Sequence, residues 1–375
     1  MVSGKSGTPS WRRPPSGMAD ASRLIFIYYH LSAAPDFDRH LSLVFIFDHS
    51  LPIMLSPALS STVQALLTPG KGILAADESF PTIGTRFQAL GIASTEENRR
   101  AYRELLFTAP GLSESISGAI LFDETIRQKT SAGVPMPEVL ARQGIVPGIK
   151  VDRGTVPLPR FEGEKVTEGL DGLRARLEEY RSLGARFTKW RAVLTIGPNR
   201  PSVAALASNA RALALFAVLS QDAGLVPIVE PEVLMDGAHT LARCEETTGE
   251  ALRAVFEALK THHADLEGLL LKTGMVLAGA KCPAQADLGA VADATLRCLR
   301  RHVPAAVPGV VFLSGGQDDH IATERLAAIC ERANRDTPWT LSFSFGRALQ
   351  TPALKAWHGV SAEIVTLSGA VEIAP

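Results

Sequence analysis

A lysine closes one apolar stretch of this chain, Leu266-Glu267-Gly268-Leu269-Leu270-Leu271-Lys272, and the turn residues Thr273-Gly274 follow it directly. The run has strand length, so the amine is expected in a dry setting at the rim of a sheet. Burial disfavours an ammonium ion, and a neutral amine can attack a carbonyl and form a Schiff base. Other reactive types recur with the period of a strand, in which residues i and i+2 share a face. Lys150 with Asp152, Lys189 with Arg191, and Glu230 with Glu232 all show that spacing, and another run ends in Ala76-Asp77-Glu78-Ser79. Two small-residue segments read as anion sites: Ser314-Gly315-Gly316 lets backbone N–H groups approach a phosphate, and Arg347 after Gly346 adds a guanidinium fork. Lys150 and Arg191 can hold a second anion across the same site. Metal ligation finds no support, because His262-His263 reads as a helix end and Asp318-Asp319-His320 as a helix cap. Ser314 has no histidine base nearby in sequence, which speaks against a serine-histidine-aspartate triad.

The elements that must position these groups alternate along the chain. Strands are predicted at 72–77, 118–123, 146–152, 187–194, 225–232, 266–272, 309–314 and 339–345. Helical patterns separate most of them. Leu170, Leu173, Leu177 and Tyr180 fall three and four apart before Gly184, and 202–222, 248–262, 284–301 and 319–334 are rich in Ala and Leu. This order predicts an α/β protein with a single (β/α)8 TIM-barrel domain. A doubly wound open sheet is the competing architecture, and no glycine-rich nucleotide motif supports it. In a barrel the C-terminal strand ends form the active site. Asp77, Lys150, Lys189, Glu230 and Lys272, on different strands, would then meet there. Their other reading is a structural ion-pair lattice, because buried charge must either pair or do chemistry.

The 375 residues are 46% apolar with a net charge of −1, which gives no reason to expect nucleic acid as a partner. The cysteines (Cys244, Cys282, Cys298 and Cys330) show no metal spacing, and a reduced, cytoplasmic protein is the economical reading. No stretch of about 18 uninterrupted apolar residues occurs, so no membrane span is expected. Residues 1–53 differ in composition from the rest and read as an atypical N-terminal extension, disordered or mis-started, or else as a targeting peptide. The barrel is placed at 54–357, opening with Ser56-Pro57 as the N-cap and first position of a helix through Leu67. Residues 358–375 read as a short atypical tail.

From about Met54 to Trp357 the sequence resembles class I fructose-bisphosphate aldolase, the metal-free, Schiff-base kind. The resemblance rests on long collinear segments. These include Gly70-Lys71-Gly72-Ile73-Leu74-Ala75-Ala76-Asp77-Glu78-Ser79, Thr95-Glu96-Glu97-Asn98-Arg99-Arg100, Gly148-Ile149-Lys150-Val151-Asp152, Lys189-Trp190-Arg191, Ile228-Val229-Glu230-Pro231-Glu232, Leu270-Leu271-Lys272, Phe312-Leu313-Ser314-Gly315-Gly316 and Phe343-Ser344-Phe345-Gly346-Arg347-Ala348-Leu349. It implies reversible cleavage of fructose 1,6-bisphosphate to dihydroxyacetone phosphate and glyceraldehyde 3-phosphate, without cofactor or metal, in glycolysis and gluconeogenesis. Its implied partners are phosphorylated ketoses and triose phosphates, with neither nucleic acid nor membrane, and its implied assembly is a homotetramer. By resemblance, Lys272 forms the imine, and Glu230 is the acid/base for carbinolamine dehydration, with Glu232 beside it. Asp77 takes the C4 hydroxyl proton, and Lys189 is the cation between the carboxylates. Ser314, Gly315, Gly346 and Arg347 match the C1-phosphate site, and Ser79, Lys150 and Arg191 the C6-phosphate end.

The chain departs from that pattern at several points. Thr85 stands where many relatives have lysine, although Arg86 is kept; Asp123 and Arg153 replace a histidine and a lysine common in animal relatives; Thr273-Gly274 replaces a frequent Pro-Asn. Relatives continue past the Ala-Leu-Lys-Ala-Trp segment into a long helix and a tail that often ends in tyrosine. Here Tyr180 is the last tyrosine and 18 residues follow Trp357. This predicts turnover limited at enamine protonation and barrel stability lowered by the missing cover. Another Schiff-base barrel, such as a transaldolase or keto-acid lyase, is the enzymatic alternative. A catalytically impaired paralogue or truncated product acting as a binding protein is the non-enzymatic one.

Overall fold

The computed structural model describes residues 56–333 and 337–359, all of which belong to one compact unit. The extension expected at 1–53 and the tail from 360 onward lie outside the described residues. The strands are β1 (Gly72–Ala76), β2 (Ile116–Leu121), β3 (Val146–Lys150), β4 (Thr155–Pro157), β5 (Lys165–Thr167), β6 (Phe187–Leu194), β7 (Val226–Val233), β8 (Leu270–Thr273), β9 (Gly309–Phe312) and β10 (Thr340–Phe345). Eight of them close a parallel barrel in the order β1-β10-β9-β8-β7-β6-β3-β2. Closure rules out the open doubly wound sheet. A small antiparallel ribbon, β4 with β5, projects from the connection between β3 and β6.

The predicted elements are present, with shifted ends. The run 266–272 is not one strand. Asp265 accepts a hydrogen bond from the Glu267 amide at 3.0 Å and folds Leu266–Gly268 into a 3-10 turn, so β8 starts only at Leu270 and Lys272 sits inside it. Asp123 does not extend β2; it opens a short helix, Asp123–Arg127. Ser56 is the N-cap of helix Pro57–Leu66, although its side chain makes no cap bond. Helix Val203–Asp222 is long and apolar enough to cross a membrane by length and composition. It lies against β6, β7 and helix Leu241–Thr261, so packing on the barrel wall accounts for its apolarity.

Strand alternation divides the apolar residues in two. One set lies between strands and outer helices and includes Leu74, Ala119, Ile149, Val229, Leu271 and Phe312. The other fills the lower lumen with Ile73, Ile120, Phe187, Ile228, Leu270 and Val311, and helix Pro57–Leu66 plugs it with Leu59, Val63 and Leu66. The plug is tied on by the Ser117 hydroxyl, which donates to the Leu66 carbonyl at 2.7 Å. The lumen is full at this level: a Cβ on Gly118 would lie 2.5 Å from Leu66, and one on Gly148 would lie 2.2 Å from the Phe187 ring. Such a close-packed interior tolerates added volume poorly. Gly148→Ala is therefore expected to lower the unfolding free energy by about 1–3 kcal/mol, measured by chemical denaturation. Pairing it with Phe187→Leu should recover part of that loss.

Candidate active site

Above the apolar plug the lumen turns polar, and a cleft of about 1270 Å³ opens at the C-terminal ends of the strands. One line of alternating charge crosses its floor. The Lys189 ammonium on β6 lies 2.7 Å from Asp77, just past β1, and 3.3 Å from Glu230 on β7. The other Glu230 oxygen lies 3.0 Å from the Lys272 ammonium on β8. All four residues are at least nine-tenths buried. Strand period puts them inward: Asp77 follows Ile73 and Ala75, Lys189 follows Phe187, Glu230 follows Ile228, and Lys272 follows Leu270, all on the lumen face.

Burial alone would raise the Asp77 and Glu230 carboxyls. The ammonium groups outweigh it, with Lys189 foremost at Asp77 and Lys272 foremost at Glu230, so both carboxyls are held below the usual range. Burial alone would lower the Lys189 amine, but Asp77 and then Glu230 overcome it and hold the amine well above its ordinary value.

The remaining predicted residues surround this line. Glu232 is engaged by the Arg191 guanidinium. Lys150 lies 2.5 Å from Asp152, whose carboxylate also accepts the Gly154 and Arg191 amides. The Ser79 hydroxyl lies 3.2 Å from that of Thr82. At the opposite rim, Ser314 leads into Gly315 and Gly316, with φ of +61° and +92°. A Cβ on Gly316 would lie 2.6 Å from the Arg347 guanidinium, so the close approach of loop and arginine depends on that glycine. Gly346 is the N-cap of helix Arg347–Trp357. All these residues line the one cleft.

Sequence reasoning missed a second network behind the first. Glu78, next to Asp77 at the edge of the cleft, meets Arg86 and Arg103, both at 2.6 Å. Gln350 donates to Glu78 at 2.8 Å and to the Ala75 carbonyl at 2.6 Å, and lies 3.1 Å from the Tyr102 hydroxyl. This ties the helix carrying Arg347 to the strand end carrying Asp77. A signal existed: Gln350, Ala353, Leu354 and Trp357 form one buried helical stripe, so a polar group there needs partners.

A family model described as fructose-bisphosphate aldolase class-I matches residues 58–370. The chain belongs to the class I fructose-bisphosphate aldolase family. It is similar to a probable fructose-bisphosphate aldolase class 1 of Xanthomonas campestris pv. campestris, with 57% identity over 80% of this chain and 89% of that protein. It is also similar to the cytosolic fructose-bisphosphate aldolase 5 of Arabidopsis thaliana, with 53% identity over 80% of this chain and 84% of the relative. Among solved structures, the fructose-bisphosphate aldolase of Plasmodium falciparum superposes with a TM-score of 0.79 at 49% identity, covering 80% of this chain and 87% of that one. The aldolases of this family are lyases acting on phosphorylated sugars, and a buried lysine beside paired carboxylates suits the Schiff-base chemistry of class I.

The pairing in this site has a window of pH. Asp77 and Glu230, with lowered values, contribute stability above their unfolded values, and that contribution is lost as pH falls through the folded ones. Lys189, with its raised value, contributes below its unfolded value and loses that contribution as pH rises through the folded one. The contributions of Asp77, Lys189 and Glu230 are therefore all present from about pH 4 to about pH 10. Lys189→Met leaves two buried carboxylates short of a cation and should cost about 3–5 kcal/mol at neutral pH. Denaturation at pH 7 and near pH 4 checks this, with a smaller loss expected at the acid end, where the carboxylates can take up protons.

Proposed function

We propose that the chain performs reversible aldol cleavage of fructose 1,6-bisphosphate through an imine at Lys272, giving dihydroxyacetone phosphate and glyceraldehyde 3-phosphate. The observation that carries the reading is the buried line Asp77–Lys189–Glu230–Lys272. The Lys272 amine gives a proton to Glu230 and attacks the C2 carbonyl. A proton moves from the attacking nitrogen to the carbonyl oxygen to give the carbinolamine, and Glu230 returns its one proton as the hydroxyl leaves as water, producing a protonated imine. Asp77 then takes the C4 hydroxyl proton, the C3–C4 bond breaks, and its electron pair flows into the iminium to give an enamine and free the aldehyde product. Protonation at C3 and hydrolysis release the ketone product and restore the amine. Lys189 keeps Asp77 ionised until it acts, and Glu232 orients Arg191 beside Glu230.

Ser314, Gly315, Gly346 and Arg347 are assigned to the C1 phosphate, and Ser79, Lys150 and Arg191 to the far end of the substrate. Grips at both ends keep C2 against the amine and O4 against Asp77. The barrel domain is assigned to 54–357, with 1–53 as an extension and 358–375 as a tail, and the working form is assigned as a cytoplasmic homotetramer. The completeness of the charged line supports a working lyase over a catalytically impaired binding protein.

A coupled assay for triose phosphates tests this. Lys272→Met should abolish cleavage, and Asp77→Asn and Glu230→Gln should each lower kcat by about 10²–10⁴-fold. A chelator should leave the rate unchanged. Cleavage surviving in Lys272→Met, or loss of activity with chelator, would contradict the imine route.

A further inference from the structure

Arg325, on the helix Asp319–Ala333 that follows β9, is a half-buried cation with no carboxylate to balance it. Burial lowers its guanidinium from the ordinary arginine value and nothing offsets that. Arg99, Arg127 and Arg297 shift the other way, each raised first by a carboxylate to which it donates. The Arg325 Nε is buried without a hydrogen-bond partner. An unpaired donor and an uncompensated charge both cost stability, so packing does not account for an arginine here.

What the guanidinium does hold is Gln317. Its Nη1 donates to the Gln317 Oε1 at 2.8 Å. The Gln317 Nε2 in turn donates to the Ser314 carbonyl at 2.9 Å, and the Gln317 main-chain amide donates to the same oxygen at 3.0 Å. The second of these bonds closes the turn Ser314-Gly315-Gly316-Gln317, whose two central residues have φ of +61° and +92°. A carbonyl has two lone pairs, and both are now engaged away from the cleft. The amides of Gly315 and Gly316 meet no acceptor among the described residues, so they stay available to an anion. The same turn seats Arg347, whose guanidinium would lie 2.6 Å from a Cβ on Gly316.

An amide side chain can lie either way round, and its neighbours decide which. A donor at Oε1 fixes Gln317 with Nε2 against Ser314. Without it the amide is free to turn over and set one oxygen against another. We propose that Arg325 is a positioning residue for the phosphate loop after β9, acting through the Gln317 amide to hold the turn that presents Gly315, Gly316 and Arg347 to an anion. This rests on the assignment of that loop to the C1 phosphate of the substrate. The unpaired charge of Arg325 is then a stability cost that the site requires.

The test compares the wild type, Arg325→Met and Arg325→Lys. Calorimetric binding of hexitol 1-phosphate, which has no carbonyl and cannot form an imine, reads the phosphate grip alone. Its Kd should rise about five- to tenfold in Arg325→Met, the loss expected for one charge-assisted hydrogen bond. Arg325→Lys keeps a donor and should recover most of the affinity. The Tm of Arg325→Met should equal or exceed that of the wild type, whereas a merely structural role predicts a lower one. In cleavage of fructose 1,6-bisphosphate the change should fall on KM, with kcat within about twofold, because the grip acts on ground and transition states alike. An unchanged Kd, no binding by the wild type, or weaker binding that comes with a lowered Tm and is not restored by lysine would overturn the proposal. Weaker binding of hexitol 1-phosphate with the Tm kept upholds it even if the wild type cleaves no sugar, an outcome that would sink only the aldolase reading.

Discussion

Lys189 stands between two carboxylates deep in the lumen, and their shared burial depends on its charge. Asp77 and Glu230 meet its ammonium at 2.7 and 3.3 Å, while Glu230 also meets Lys272 at 3.0 Å. An isolated ion at this depth costs several kcal/mol. Four alternating charges sum to zero, and that balance makes their shared burial tolerable. It also survives the proposed reaction. A protonated imine keeps the positive charge that Lys272 carried. When the C3–C4 bond breaks, Asp77 becomes neutral by taking a proton, and the iminium becomes neutral by taking the electron pair. Both ends of the line lose one charge together, so the dry site holds no uncompensated ion at either stage.

The barrel below makes this placement rigid. Each charged side chain sits two residues beyond an apolar one on the same lumen face, so the plug of Leu59, Val63 and Leu66 against Phe187, Ile228 and Leu270 sets the height of the layer above. Gly118 and Gly148 keep that lower layer close-packed. The network of Glu78, Arg103 and Gln350 does the corresponding task sideways, since it joins the strand end of Asp77 to the helix of Arg347. Reactive groups and phosphate grip are thus referenced to one frame, which orientation-dependent catalysis requires.

Much of this was legible in the sequence because strand period 2 is a strong signal when charges interrupt apolar runs. Lys150 with Asp152, Lys189 with Arg191 and Glu230 with Glu232 announced inward faces, and the alternation of strands with helices announced the closed sheet. Element ends were less legible, for local reasons. Leu266 to Lys272 reads as one strand by hydropathy, yet the side chain of Asp265 bonds to the main chain two residues on and bends the first part into a turn. The Glu78 network was hidden because its members lie up to 272 residues apart. Only the polar intruder in the buried stripe of helix Arg347–Trp357 hinted at it. The pairing of Arg191 and Lys150 to carboxylates depends on rotamers that sequence spacing cannot fix.

The claim at the centre is that this line of charge exists to make Lys272 a nucleophile. Incubating the full chain with dihydroxyacetone phosphate, reducing with borohydride and mapping the modified peptide tests it most directly. The account predicts a stable adduct on Lys272. An adduct on another lysine, or none anywhere, would contradict it.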